Sequence, residues 1–338
     1  MRGEQRSPRF PIPGKVPKRV YRKENLFGRI ITMKKAYKRD PAAVQSAILR
    51  RPYQRVFPLF LLPMFVSFCV GFIWPFAQGL FLSFTKFRTT SKWEWVGIEN
   101  YIKAFTDESF RYSFGYTALF AIVSLILINV IAFAVALALT QKIKGANLFR
   151  TVFFMPNLIG GIVLGYIWSM IFDGLLSNYG KSILTDSTWG FWGLIILMCW
   201  QQIGYMMIIY IAGLQAVPED MMEAAKIDGA NGWQTLFKIT IPNVMSSITI
   251  CTFLTLSNGF KLFDQNLALT GGLPYIINAD GSSVHTTEMM ALNIYNTFYG
   301  QNTGARGVAQ AKAVLFFILV AGLSILQLRA TRDKEVAA

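Results

Sequence analysis

Residues 217–243 read VPEDMMEAAKIDGANGWQTLFKITIPN, a polar island between two long apolar runs. Its residue types spell two short helices joined by a tight turn. Pro218 suits a first helical position, where the missing N–H costs nothing. Glu219 and Asp220 then occupy the first turn, where carboxylates meet the positive end of the helix dipole. Met221, Met222, Ala224 and Ala225 fall at spacings that build an apolar stripe. Asp228-Gly229 stops the helix, because glycine takes the left-handed conformation that many C-terminal caps require. Asn231 caps a second helix that runs through Lys238, and Pro242 opens the next apolar run. A merely solvated loop has no need of two capped helices.

Working outward, six apolar runs are long enough to cross a membrane, which takes about 20 helical residues: 57–84, 114–140, 151–171, 189–214, 243–269 and 307–328. Pro156 and Gly160-Gly161 are expected to bend the third. The fold class is therefore an all-α membrane protein with six transmembrane helices, and the polar island lies between the fourth and fifth. A hydrophobic content of 53% and a mean hydropathy of +0.40 agree.

The net charge of +15 would suit nucleic acid, but its distribution does not. Residues 1–55 hold sixteen Lys/Arg against Glu4, Glu24 and Asp40, so the basic excess is a tail beside a membrane. Within that tail Leu26, Phe27, Ile30, Ile31, Met33, Ala36 and Tyr37 recur near helical spacing among cations. That pattern suits an interfacial helix on anionic lipid. Three domains follow: a basic tail over 1–55, a membrane domain over 56–330 and a C-terminal tail over 331–338. The tail also decides orientation. With it inside, the inner segments hold 24 Lys/Arg and the outer loops seven; without it the comparison is eight to seven. Both termini and the 217–243 island are thus expected in the cytoplasm.

Catalytic and metal chemistry find little to work with. Cys69, Cys199 and Cys251 fall inside apolar runs, and His285 is the one histidine. Gly174 to Gly180-Lys181-Ser182 imitates a phosphate loop but has five residues between the glycines where the motif has four, and it lies in a hairpin between spans. No catalytic residue and no metal ligand is assigned. The outer loops are richer: Trp93 to Tyr101 has the aromatic character of a membrane interface, and 287–298 is expected as a short helix at the outer surface.

Polar residues inside the spans are costly and point to a bundle interior or a wet pathway. The fifth run carries Lys261 and Asp264, three apart and so on one helical face, where they can neutralise each other. Asn258 and Thr255 precede them on the same side. The fourth run offers Gln201, Gln202 and Tyr205, amides and an aromatic ring suited to a sugar.

Glu223-Ala224-Ala225, Gly229 after three more residues, and Ile241-Pro242 resemble the EAA loop of ABC importer permeases. EAAKIDGANGWQTLFKITIP is similar to the carbohydrate-importer branch, as in maltose and glycerol-phosphate permeases. TK, WVGIENY and AF in the first outer loop, KGANLFRTVFFMPNLIGG at the third run and the closing LRATR extend the likeness over about residues 55–333. The resemblance implies a type I importer permease fold and a coupling helix built on Glu223, Ala224, Ala225, Asp228 and Gly229. It implies an ATPase dimer that uses ATP and magnesium, a second homologous permease and an extracytoplasmic sugar-binding protein. This chain then binds no cofactor and is no enzyme. Substrate-pathway positions carried over by resemblance are Gln201, Gln202, Tyr205, Thr255, Asn258, Gly259 and Leu262, beside Lys261 and Asp264. The expected cargo is an oligosaccharide or related sugar. The alternatives are a solute such as glycerol phosphate, or a secondary carrier acting alone; the latter predicts paired broken helices in the two halves of the chain, which the sequence does not display.

Overall fold

The computed structural model describes residues 57–141, 143–278, 283–300 and 302–335. The basic tail with its expected interfacial helix, and the end of the C-terminal tail, lie outside them. Five described helices are long and apolar enough to cross a membrane: Phe57–Leu82, Glu108–Thr140, Gly161–Tyr179, Ser187–Gln215 and Arg306–Ala330. The bent pair Gly232–Asn243 and Met245–Phe260 supplies the sixth when counted as one span.

The chain divides into two units, at Ile73 and Trp74. In the first, residues 57–73 are helical and end in a π-turn, Cys69–Ile73. Their apolar side chains are almost all exposed, as lipid contact requires, and Phe68 and Phe72 stack at 5.2 Å.

The second unit opens with α1 (Trp74–Leu82) and an antiparallel hairpin, β1 (Thr85–Thr89) and β2 (Lys92–Trp95). Next come α2 (Glu99–Thr106) and α3 (Glu108–Thr140). Helix α3 begins six residues before the expected 114, because the Asp107 carboxylate accepts hydrogen bonds from the Ser109 and Phe110 amides and so caps it early. Along α3 the residues Thr117, Ala121, Ser124, Ile128, Ala132 and Ala136 are all fully buried. Such a small-residue stripe lets neighbouring backbones approach without a hydrophobic driving force from water. It packs on α6 (Ser187–Gln215), which contributes Leu194, Leu197, Met198, Met206, Met207 and Tyr210 to the core.

The expected third span, 151–171, is a correction. The structure cuts that stretch into α4 (Ala146–Phe154), a 3-10 turn Met155–Leu158 and α5 (Gly161–Leu176). Pro156 cannot continue a helical hydrogen-bond ladder, and Gly160 is extended. Helix α4 is tied back to α3 by Arg150, whose Nη2 donates to the Leu139 carbonyl at 2.9 Å.

The fifth span is also corrected. After α7 (Glu219–Ile227) come α8 (Gly232–Asn243, helical with an internal π-turn), α9 (Met245–Phe260) and α10 (Asp264–Leu269). The axes of α8 and α9 differ by 72°. Residues 261–263 are not helical, so the continuous helix expected over 243–269 does not exist.

A second hairpin, β3 (Tyr275–Ile277) and β4 (Ser283–His285), leads to α11 (Met290–Tyr299) and α12 (Arg306–Glu335). Helix α11 begins at Met290 rather than 287, and its Met290, Leu292 and Asn293 are buried, so it is built into the fold and not merely laid on it. Lys312 of α12 explains why. Its side chain is 1% exposed and its Nζ meets Asp107 Oδ2 at 2.6 Å. The same ammonium donates to Asn293 Oδ1 and Thr297 Oγ1, each at 2.8 Å. Asn293 Nδ2 in turn donates to the buried Glu288 carboxylate at 2.6 Å, and Asn296 Nδ2 to its other oxygen at 2.5 Å. One polar bracket therefore joins the start of α3, α11 and α12.

Candidate functional site

The 217–243 island folds as its residue types dictate. Helix α7 starts one residue later than expected, with Pro218 as the extended N-cap. At its end the Ala230 amide donates to the Ala225 carbonyl and the Gly229 amide to that of Lys226. This is a Schellman turn, and Gly229 supplies its left-handed residue at φ +74°. Asn231 and Gln234 then exchange side chain-to-backbone hydrogen bonds of 2.9 Å, a capping box for α8.

Each residue of α7 is exposed except half-buried Met222 and buried Ala225. Glu223, Ala224, Asp228 and Gly229 therefore face outward together, and Ala225 faces in. Large apolar side chains stand beside them: Ile227 is 85% exposed and Trp233 72%. Trp233 lies parallel to Phe237 at 6.0 Å. The stretch thus presents a short helix, closed by its Schellman turn, with large exposed apolar side chains beside it.

Helices α6, α9 and α10 flank an open cavity of about 300 Å³. Met198 and Gln202 line it from α6, and Asn258 from α9. Lys261, Leu262 and Phe263 line it from the break, and Asp264 and Gln265 from the start of α10. Irregular backbone is tolerated inside a membrane where it lines such a space. Asn258 Nδ2 donates to Gln202 Oε1 at 3.4 Å. Gln265 Nε2 donates to Gln201 Oε1 at 2.7 Å, and Gln201 Nε2 to the Ile159 carbonyl at 3.2 Å.

Two expected features are corrected here. Lys261 and Asp264 do not share a helical face, since Lys261 closes α9 and Asp264 opens α10, and among the described residues no ion pair joins them. Both are exposed. Thr255 and Gly259 point toward α3 instead of the cavity. The Thr255 hydroxyl accepts from Asn129 Nδ2 at 3.2 Å, and Asn129 Oδ1 accepts from the Tyr210 hydroxyl at 2.6 Å. A Cβ on Gly259 would stand 3.1 Å from Ala121 Cα. Gln201 is buried behind the cavity and orients Gln265, whereas Tyr205 packs half-buried against the core. Gln202, Asn258, Lys261, Leu262 and Asp264 are the expected residues that the fold brings together. Sequence reasoning missed Met198, Phe263 and Gln265. Gln265 carried the one available signal, an amide beside Asp264 in an apolar run.

Helix α10 is seated by glycines. A Cβ on Gly161 would lie 2.9 Å from Asp264 Cβ, and one on Gly165 would lie 2.5 Å from Ala268 Cβ. These two positions, one helical turn apart on α5, leave the groove that accepts α10 and so fix the cavity wall.

Comparison with known proteins meets this geometry. A family model described as "Binding-protein-dependent transport system inner membrane component" matches residues 135–333. The probable starch degradation products transport system permease protein AmyD of Thermoanaerobacterium thermosulfurigenes is 39% identical over 286 residues, covering 82% of this chain and 94% of that protein. The multiple sugar-binding transport system permease protein MsmF of Streptococcus mutans is 31% identical over 287 residues, with 82% and 95% covered. A crystal structure of a bacterial ABC transporter involved in the import of the acidic polysaccharide alginate contains a chain that aligns with a TM-score of 0.68 at 19% identity. The alignment covers 84% of this chain and 98% of that one, and at this identity it speaks for the fold.

Proposed function

Because the chain belongs to the family of binding-protein-dependent transport system inner membrane components, we propose that it is the permease subunit of an ATP-driven importer of an oligosaccharide or related sugar. The observation that carries this reading is α7: a short helix, closed by a Schellman turn at Gly229 and exposed on nearly all sides, set between two spans beside Ile227 and Trp233. Such a helix fits a cleft on a partner ATPase. ATP and magnesium are used there, and this chain contributes no catalytic residue. Both termini and α7 face the cytoplasm, and the outer loop that carries the second hairpin faces a sugar-binding protein. A second, homologous permease completes the pathway.

The residues support alternating access. Closure of the ATPase dimer moves α7, and the movement passes through α8 and the bend at Val244 into α9, which carries Asn258 to the cavity. Gln202, Asn258 and Gln265 offer amide hydrogen bonds to sugar hydroxyls, and Phe263 offers an aromatic surface. The sugar names of both sequence relatives support the cargo class. The test is purification of the tagged chain in mild detergent, with identification of what accompanies it. An ATPase, a second permease and a binding protein that binds saccharide are expected. A chain that purifies alone and transports without ATP would overturn the reading.

A further inference from the structure

Hairpin β1–β2 has two unlike faces, as strand alternation requires. Trp93 and Trp95 pair across the ladder with Phe87 and Thr85 and so share one face. Trp93 meets Phe81 of α1 edge-on at 5.0 Å, and Trp95 stacks on Phe84 at 5.8 Å. Both indoles stay substantially exposed, at 48% and 61%. They lie beside the last turn of the apolar span Phe57–Leu82. Exposed tryptophan at the end of a span marks the headgroup level of a bilayer.

The other face is cationic. Lys86, Arg88 and Lys92 are all exposed and line an open groove of about 1020 Å³ that Asn302 and Gly304 also border, and the Phe87 and Trp93 rings reach its edge from the aromatic face. Arg88 sits where the ladder register slips, and its carbonyl accepts from Arg306 Nη1, which ties the start of α12 to the hairpin. The carboxylate in the groove is Glu94, opposite Lys86. The nearby Glu99 is engaged by Lys103 at 2.6 Å, and its carboxyl is held low chiefly by Lys103 and in smaller part by Lys86, so it also offsets some of the groove's charge.

We propose that this groove holds the phosphate-bearing headgroup of an anionic phospholipid. Among the described residues three cations outnumber the two carboxylates beside them, Glu94 and Glu99, at the depth that Trp93 and Trp95 define, and basic residues next to a span attract anionic headgroups. The two faces then act together, the indoles in the interfacial layer and the cations on the phosphate. The lipid pins the hairpin and, through Arg306, the first turn of α12. This site is independent of the cargo: it requires only that the chain spans a membrane, so its failure leaves the transport reading untouched.

The test uses the full-length chain in nanodiscs doped with phosphatidylglycerol or phosphatidylcholine, each carrying a photoactivatable diazirine near the headgroup. Cross-links are located by peptide mass spectrometry. The phosphatidylglycerol probe is expected to label residues 85–95 about tenfold more than the phosphatidylcholine probe. Combining Lys86→Gln, Arg88→Gln and Lys92→Gln is expected to erase that preference while labelling of the basic residues 1–55 persists as an internal control. Equal labelling of the hairpin by the two probes overturns the proposal. So does a hairpin left unlabelled while the tail is labelled, and so does a hairpin shielded by a soluble acidic protein instead of lipid. The wild-type comparison stands even if the triple variant fails to fold.

Discussion

Replacing Lys312 with methionine removes a charge from the least exposed ion pair in the described protein. The methionine fills the space of the stem but leaves Asp107 Oδ2, Asn293 Oδ1 and Thr297 Oγ1 without the ammonium they share. Breaking a buried pair by removing one partner costs about 3–5 kcal/mol. Asp107 is 33% exposed and keeps its bonds to the Ser109 and Phe110 amides, so the lower end, roughly 3 kcal/mol, applies. For a chain of this size that corresponds to a fall in Tm of roughly 4–5 °C, read by fluorescence-detected size exclusion after heating in detergent. Lys312→Met combined with Asp107→Asn is expected to cost less than the sum of the single changes by at least about 1 kcal/mol, because the second change removes the stranded carboxylate. A single-variant shift below about 2 °C, or additive effects in the double variant, would refute the assignment of the bracket to this pair.

Other positions give independent checks. Gly229→Asp, which forces an ordinary residue into φ +74°, is expected to leave membrane insertion intact and to uncouple uptake from ATP hydrolysis; wild-type uptake in proteoliposomes would sink the coupling role of the loop. Gly165→Ala places a methyl 2.5 Å from Ala268 Cβ, so α10 must shift, at a cost of about 1–3 kcal/mol visible as a lower Tm together with reduced uptake. Asn129→Leu takes the acceptor from the Tyr210 hydroxyl, while the Thr255 hydroxyl keeps its bond to the Cys251 carbonyl, and should destabilise by about 1–2 kcal/mol without changing the concentration of cargo that gives half-maximal uptake. Gln202→Leu, at the cavity wall, should do the reverse: it raises that concentration about tenfold with little change in Tm, and equal loss in both readouts would mean that the amide is only structural.

How much of this was legible in the sequence depended on distance along the chain. The Asp228-Gly229 stop and the Asn231 cap were readable because every partner in those turns lies within five residues. The cut at Pro156 was also local, although it ends a helix outright where a bend was expected. The break at 261–263 was not readable. It contains neither proline nor glycine, and its cause lies in α5, where Gly161 and Gly165 open the groove that draws α10 out of line with α9. For the same reason a spacing of three between Lys261 and Asp264 suggested a shared face that the backbone does not provide. The resemblance puts Thr255 and Gly259 in the pathway, but the rotation of α9 that turns them toward α3 is set by Asn129 and Ala121, both distant in sequence. Lys312 is a cation inside an apolar run, yet nothing local names Asp107, 205 residues earlier, as its partner.

The corner at Val244 has a mechanical consequence. With 72° between α8 and α9, a thrust along α8 is delivered mostly across α9, so the two helices act as a crank and not as a piston. Helix α9 extends about 24 Å from that corner at 1.5 Å per residue. Its near end therefore barely shifts for a given rotation, while Asn258 and Lys261, at the far end, sweep the widest arc. Gearing of this kind concentrates the largest displacement where the cavity lies and leaves the packing close to the pivot almost undisturbed.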